Sequence, residues 1–243
     1  MIRQYLHKLK TSEKDKIKWR SHEVLRIEAF SDAVFAFAVS LLIISLEVPH
    51  SSKELFEMMR GFVPFIFCFG IIFFIWFSQY KFFRQYGLHD VVTIFLNGIL
   101  LFLVLFYVYP LKFMVGAAAT MGKGYTIADE DFIPLMLLYN SGFTCIFMLF
   151  TLMYCNAYLK RQELSLTLLE IFETKTHLYT YLYITLVGFT TVIVALVGGK
   201  YAGYSMTCYA LMGGIGILSF IREKRFHKKF GKVPVAEPHL AEE

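Results

Sequence analysis

Apolar residues fall in long blocks along this chain rather than in short periodic stripes. Six blocks stand out: about Val24 to Val48, Leu55 to Phe83, Val91 to Met114, Phe132 to Leu159, Leu178 to Val197 and Tyr204 to Ile221. A bilayer needs about 20 apolar residues per helical span, so each block reads as a transmembrane helix. Pro49 ends the first block, and Ser51 or Ser52 can cap the second. The second block is longer than a bilayer requires, so it is expected to tilt or protrude, with Pro64 a point for a kink. The third contains Asn97 and Pro110. A polar loop with Gly122, Lys123 and Gly124 leads to Asp129, Glu130 and Asp131. Those acids suit a helix N-terminus, where they are expected to cap the helix and complement the macrodipole; the other reading is that they concentrate cations at an outer mouth. The stretch from Lys160 to His177, with Leu164, Leu166, Leu168, Leu169, Ile171 and Phe172, reads as an amphipathic piece lying on the membrane. A short turn, Gly198 to Gly203, joins the last two blocks. The expected organisation is a basic segment over 1–23, a six-span domain over 24–222 and a tail over 223–243.

Composition agrees with the pattern. The chain has 243 residues, 57% hydrophobic and 18% aromatic, with mean hydropathy +0.55. One soluble core of this length could not hide that much apolar surface. The net charge of +5 does not point to nucleic acid, because the basic residues sit at the block boundaries and no nucleic-acid motif accompanies them. With both termini inside, 19 of the 24 Lys and Arg residues fall on the inner side. That asymmetry places both termini in the cytoplasm and favours an even number of spans. The polar and basic N-terminal segment suits an anchor against anionic headgroups. It is not a cleavable signal, so the first span is expected to direct insertion. Cys68, Cys145, Cys155 and Cys208 form no CxxC pair and read as buried hydrophobes. No HExxH, SxxK-like or Cys/His constellation supports an enzyme, and no cofactor is implied.

The first block carries the chemistry. Arg26, Glu28 and Asp32 lie in its first turns, where a lipid-facing helix avoids charge. With Phe37 at zero on a helical wheel, Phe30, Leu41, Ile44 and Val48 fall within about 40° of it and Ser40 about 60° away, whereas Glu28 and Asp32 lie near about 180° and 220°. The helix therefore has two faces. Either the stripe faces lipid and the acids are structural glue, or several copies meet and the stripe lines a pore, which requires an oligomer.

Arg26-xxx-Phe30-Ser31-Asp32 at the head of the first of six spans resembles the signature of the transmembrane protein 175 potassium channels, a lysosomal channel of animals and its shorter prokaryotic homologues. Glu47-Val-Pro49 closing the first span, Trp76 late in the second, and Leu96-Asn97 followed by Pro110 in the third fit the prokaryotic pattern, so the resemblance covers nearly the whole chain. It implies an all-α membrane protein of six transmembrane helices per subunit. Four subunits form a homotetramer with the first helix lining the central pore and no re-entrant pore loop. The turn Gly198 to Gly203 carries Lys200 and is too short to re-enter, so it reads as a plain hairpin.

By the same resemblance Phe37, Leu41 and Ile44 form the constrictions, and Ser40 supplies a hydroxyl for a partly dehydrated potassium ion. Arg26, Ser31 and Asp32 are expected in an interhelical network with Trp76 and Asn97. The chain departs from the family at Phe37, where Ile or Leu is usual, and at Gln79, where a histidine is common; any pH dependence carried by that histidine is expected to be absent. The implied activity is a potassium-permeable, potassium-preferring cation channel in a bacterial plasma membrane, with lipid and permeant potassium as its partners. The alternative is a cation-coupled secondary transporter using Asp32 and Glu28. Transporters usually carry repeats and broken midplane helices, and neither is evident here.

Overall fold

The computed structural model describes residues 25–43, 51–119, 129–216, 222 and 224. Among these the chain is all-α, with six helices: α1 (Arg26–Ile43), α2 (Ser52–Tyr86), α3 (Val91–Ala119), α4 (Phe132–Leu159), α5 (Leu168–Val197) and a long 3-10 helix (Gly199–Gly213). A single 3-10 turn, Asp129–Asp131, leads into α4. Four stretches are long and apolar enough to span a bilayer: Phe65–Tyr86, Val91–Ala117, Phe132–Leu159 and Leu168–Val197. The protein is an integral membrane protein. α2, at 35 residues, is about 52 Å long at ~1.5 Å per residue, well beyond the hydrocarbon core, as its sequence length implies.

The helices pack as two groups of three. α1, α2 and α3 contact one another, as do α4, α5 and the 3-10 helix, and α3 against α4 joins the groups. At one end an aromatic cluster ties α2 to α4 and α5. Phe82, Tyr86 and Tyr181 each pack on Tyr154, with ring centroids 5.2 to 5.8 Å apart. Such offset and edge contacts add to plain burial. The Tyr86 hydroxyl donates to Thr174 Oγ1 at 2.8 Å, so the buried polar end of the ring is satisfied. α4 and α5 approach closely at Gly188, where a Cβ would stand 2.5 Å from Thr144 Oγ1.

The short link between α2 and α3 is pinned by Asp90. Its carboxylate accepts from Thr93 Oγ1 at 2.7 Å, from Asn156 Nδ2 at 3.2 Å and, as an ion pair at 3.3 Å, from Lys160. Asp90 thus sits before the first turn of α3 and fastens it to the end of α4. Burial alone would raise its carboxyl. The hydrogen bonds from Thr93, Asn156 and Lys160, with the Lys160 charge, outweigh that and hold it below the ordinary value of 3.8.

Three expectations change. First, the stretch from Lys160 to His177 is not a surface piece separate from the fifth span. A turn over 160–167 leads into one continuous helix from Leu168 to Val197. Thr167 and Glu170 form a reciprocal capping box that starts this helix, and no proline interrupts it. Second, the turn into the last helix is tighter than Gly198 to Gly203. α5 ends at Val197, Gly199 takes a left-handed conformation (φ 49°), and Lys200 to Gly203 already belong to the 3-10 helix. Third, Asp131 stands at the N-cap of α4 but makes no side-chain cap hydrogen bond, so its carboxylate acts there only through the helix dipole. The sixth span as read from sequence begins inside the 3-10 helix, and its residues 217–221 lie outside the described residues.

A fifteen-residue 3-10 helix is unusual, since runs beyond three or four residues are uncommon. From Ala202 to Cys208 its burial repeats every third residue, as three residues per turn require, and the next residue in line, Leu211, is exposed. Ala202 and Ser205 are buried and Cys208 half-buried, whereas Tyr204, Thr207, Ala210 and Gly213 are exposed. The inward line is of small side chains, which allows close contact with α5. Asn140 of α4 locks it in place, donating to Ser205 Oγ at 3.0 Å and accepting from the Tyr209 hydroxyl at 3.0 Å.

Candidate pore helix and its polar anchor

α1 buries one seam, half-buries Ile27, Val34, Val39 and Leu41 beside it, and exposes the opposite side. Glu28, Ser31, Phe35, Ala38 and Leu42 are buried at alternating spacings of three and four, the pattern of a helix lying along two neighbours. Those neighbours are α2 and α3. The opposite side is open. Phe37 is 54% exposed and Phe30 62%, and Ala33, Ala36 and Ser40 are exposed with them. Leu41 is half-buried, with part of its side chain packed on the core. Ile44 lies outside the described residues. The Ser40 hydroxyl donates to the Ala36 carbonyl at 2.9 Å, which satisfies its proton and leaves the oxygen's lone pairs on the exposed face.

On the buried side the structure assembles a chain of polar groups. Gln79 Nε2 donates to Asn97 Oδ1 at 2.8 Å, Asn97 Nδ2 donates to Ser31 Oγ at 2.9 Å, and Ser31 Oγ donates to the Ile27 carbonyl at 2.7 Å. One strand of bonds thus ties α2 to α3 and α3 to α1. Ser31, Gln79 and Asn97 are all buried, so each bond is worth keeping: an unpaired amide here would lose its only partners. Beside it, at the edge of the exposed face, Trp76 Nε1 donates to Asp32 Oδ1 at 2.7 Å. This bond ties α1 to α2 a second time. An apolar crevice of about 440 Å³ between α1 and α2 opens next to it, lined by Phe35, Ala36, Val39, Phe69, Ile72 and Phe73. Lys112 of α3 donates to the Leu42 carbonyl at 2.7 Å, close to the C-terminal end of α1.

Of the residues expected in the network, Ser31, Asp32, Trp76, Gln79 and Asn97 meet. Arg26 and Phe30 do not. Both are exposed, and among the described residues no hydrogen bond or ion pair joins Arg26 to Asp32. Within one chain the charge of Asp32 is answered by the indole N–H of Trp76 instead.

A protein-family model described as "Endosomal/lysosomal potassium channel TMEM175" matches residues 26–107, from the first residue of α1 into α3. A protein of Marivirga tractuosa named "Potassium channel" is 39% identical over 191 residues, 74% of this chain and 77% of its own length. The chain belongs to the TMEM175 family. A potassium channel of Chamaesiphon minutus is 32% identical over a shorter stretch, 36% of this chain and 47% of its own length. Among solved structures, a variant of the potassium channel MtTMEM175, crystallised with a nanobody–MBP fusion protein, superposes with a TM-score of 0.78 at 34% identity. That match covers 86% of this chain and 97% of the other. A Chamaesiphon minutus homologue of the lysosomal potassium-selective channel TMEM175 shares the fold at a TM-score of 0.53 and 20% identity. The fold is therefore the TMEM175 fold. The polar chain through Ser31, Asn97 and Gln79 lies wholly inside the matched segment.

Two polar clusters were not foreseen. Asp90, Thr93, Asn156 and Lys160 fasten the α2–α3 link, and Asn140, Ser205 and Tyr209 fasten the 3-10 helix. The signal for the second was available. Asn140 is an amide inside a 28-residue apolar helix, where lipid would reject an unpartnered polar group.

Proposed function

We propose that this chain is a potassium-permeable, potassium-preferring cation channel. Four copies surround an axis, with the exposed face of α1 lining the pore. Phe37, Leu41 and Ile44 form the gate and filter, and Ser40 offers its oxygen to a partly dehydrated potassium ion. Both termini lie in the cytoplasm, and the host membrane is a bacterial plasma membrane. The names of the relatives supply the ion. The observation that carries the arrangement is the division of α1: its buried seam is spent on α2 and α3, while Phe37 remains 54% exposed on a face that the described residues leave open. Exposed Phe69, Phe73 and Phe77 form a run of stacked rings on α2 beside the crevice, a surface suited to a neighbouring subunit.

The polar chain behind α1 holds the pore helix in register, so Ser31, Asn97, Gln79, Asp32 and Trp76 act by positioning. Hydrophobic rings can close such a pore by excluding water, and open it when they part. The test is flux from potassium-loaded liposomes under a defined voltage. Potassium is expected to pass without any coupling ion, with a preference over sodium. Flux that requires a second ion gradient would favour the transporter built on Asp32 and Glu28, and no flux in any condition would end the channel reading.

A further inference from the structure

Lys112 lies on α3 inside Val91–Ala117, a stretch apolar enough to span the bilayer. An ionisable side chain at such depth is expensive and marks a task. Its Nζ donates to the Leu42 carbonyl of α1 at 2.7 Å. The turn of α3 that carries it is fixed from the other side. The Tyr139 hydroxyl of α4 donates to the Pro110 carbonyl at 2.8 Å, and the Tyr107 hydroxyl of α3 donates to the Tyr139 carbonyl at 3.0 Å. Lys112 therefore reaches α1 from a place where α3 is bolted to α4. Earlier on α3, Asn97 holds α1 at Ser31. The two contacts follow the same order along both helices, so α3 grips α1 at Ser31 and again at Leu42, about 16 Å further along at ~1.5 Å per residue. Between these points the buried seam of α1 is apolar, with Phe35 and Ala38. Apolar burial is non-directional and lets a helix turn or slide a little, whereas a hydrogen bond fixes direction. Phe37, Ser40 and Leu41 all lie between the two grips. Leu41 is half-buried, at the border of the core and the open face, so a small turn of α1 buries or exposes it.

On the α1-lined pore proposed above, we infer that Lys112 is a positioning residue for ion selection: its bond to the Leu42 carbonyl sets the angle at which Ser40 and Leu41 face the axis. A constriction of apolar side chains discriminates by its width and wetting, and at Leu41 both depend on how α1 is turned. Lys112 touches no permeant ion in this role; it acts through the backbone of the helix that does. Tyr139 takes part at one remove, because it holds the Pro110 turn from which Lys112 projects.

Reversal potentials of the reconstituted full-length channel, with potassium on one side and sodium on the other, test this. The permeability ratio they give belongs to the open pore and does not depend on how much protein folds. Lys112→Met keeps most of the apolar stem and loses the donor, and is expected to lower the potassium-to-sodium ratio roughly threefold. Lys112→Gln, too short to reach Leu42, should do the same. Lys112→Arg keeps a long donor and should return the ratio to that of wild type. Tyr139→Phe should shift it in the same direction as Lys112→Met, by less. Wild-type ratios in Lys112→Met and Lys112→Gln would overturn the inference. So would a shift that vanishes in high salt, because the lysine would then act on passing cations through its field. Failure of both neutral variants to assemble while Lys112→Arg assembles would also overturn it, since the role would be structural only. Phe37→Ala and Leu41→Ala are recorded beside them. If neither changes conductance or selectivity, the α1-lined pore itself is wrong; if they do and the Lys112 variants do not, this inference alone falls.

Discussion

Phe37 is the side chain on which the proposed gate depends most. It is a phenyl ring, more than half exposed, whereas the neighbouring Phe35 is buried against the core. Replacing it with Ala in four copies removes the bulkiest ring of the stripe. In the liposome assay Phe37→Ala is expected to raise basal potassium leak and narrow the difference between potassium and sodium; unchanged values would place the gate at Leu41 or Ile44. Behind it, Asn97 is the central link, since it accepts from Gln79 and donates to Ser31. Asn97→Leu leaves the buried Gln79 amide without that acceptor, at a cost of about 1 to 3 kcal/mol. Trp76→Phe keeps most of the ring and loses one bond at a more exposed site, so about 0.5 to 1.5 kcal/mol is expected. Thermal unfolding of the detergent-purified variants should rank them in that order. Of the side chains that meet here, Asp32 was legible as a charge that lipid rejects, whereas Ser31, Trp76, Asn97 and Gln79 were legible through the family resemblance. Arg26 is exposed, and among the described residues no bond joins it to Asp32. A cation at the first residue of a helix can reach water, so nothing inside the bundle compels it to pair with Asp32.

At the scale of elements, hydropathy located the spans but not their joins. Leu168–Val197 is one helix because a capping box starts it and nothing breaks it, and a count of apolar residues cannot see a hydrogen bond between Thr167 and Glu170. The 3-10 geometry of Gly199–Gly213 was legible only as a three-residue spacing of small residues, Ala202, Ser205 and Cys208, that a search at 3.6 residues per turn passes over. The α2–α3 link gives a pH prediction at this scale. The folded Asp90 carboxyl is held below 3.8, so the unfolded chain takes up the proton more readily. The stabilisation is complete above that ordinary value and is lost as pH falls through the folded one. The unfolding midpoint of wild type is therefore expected to drop in acid more steeply than that of Asp90→Asn. Parallel curves would mean that the Asp90 latch contributes nothing measurable.

For the whole molecule, a single chain leaves the outer face of α1 and the Phe69–Phe73–Phe77 run uncovered, and among the described residues no span folds back over them. The expected assembly is four 28.2 kDa chains, and native mass in mild detergent checks it. A stable monomer that conducts would refute the arrangement. The 3-10 helix carries a consequence for the molecule's dimensions. At about 2.0 Å per residue its fifteen residues reach about 30 Å, the depth of a bilayer core, whereas α geometry at about 1.5 Å per residue would stop some 7 Å short. Rewinding it would also turn Ser205 and Tyr209 away from Asn140. That side chain of α4 therefore works like a pawl on a screw: it sets how far this segment is unwound, and so how far along α4 and α5 its fifteen residues reach.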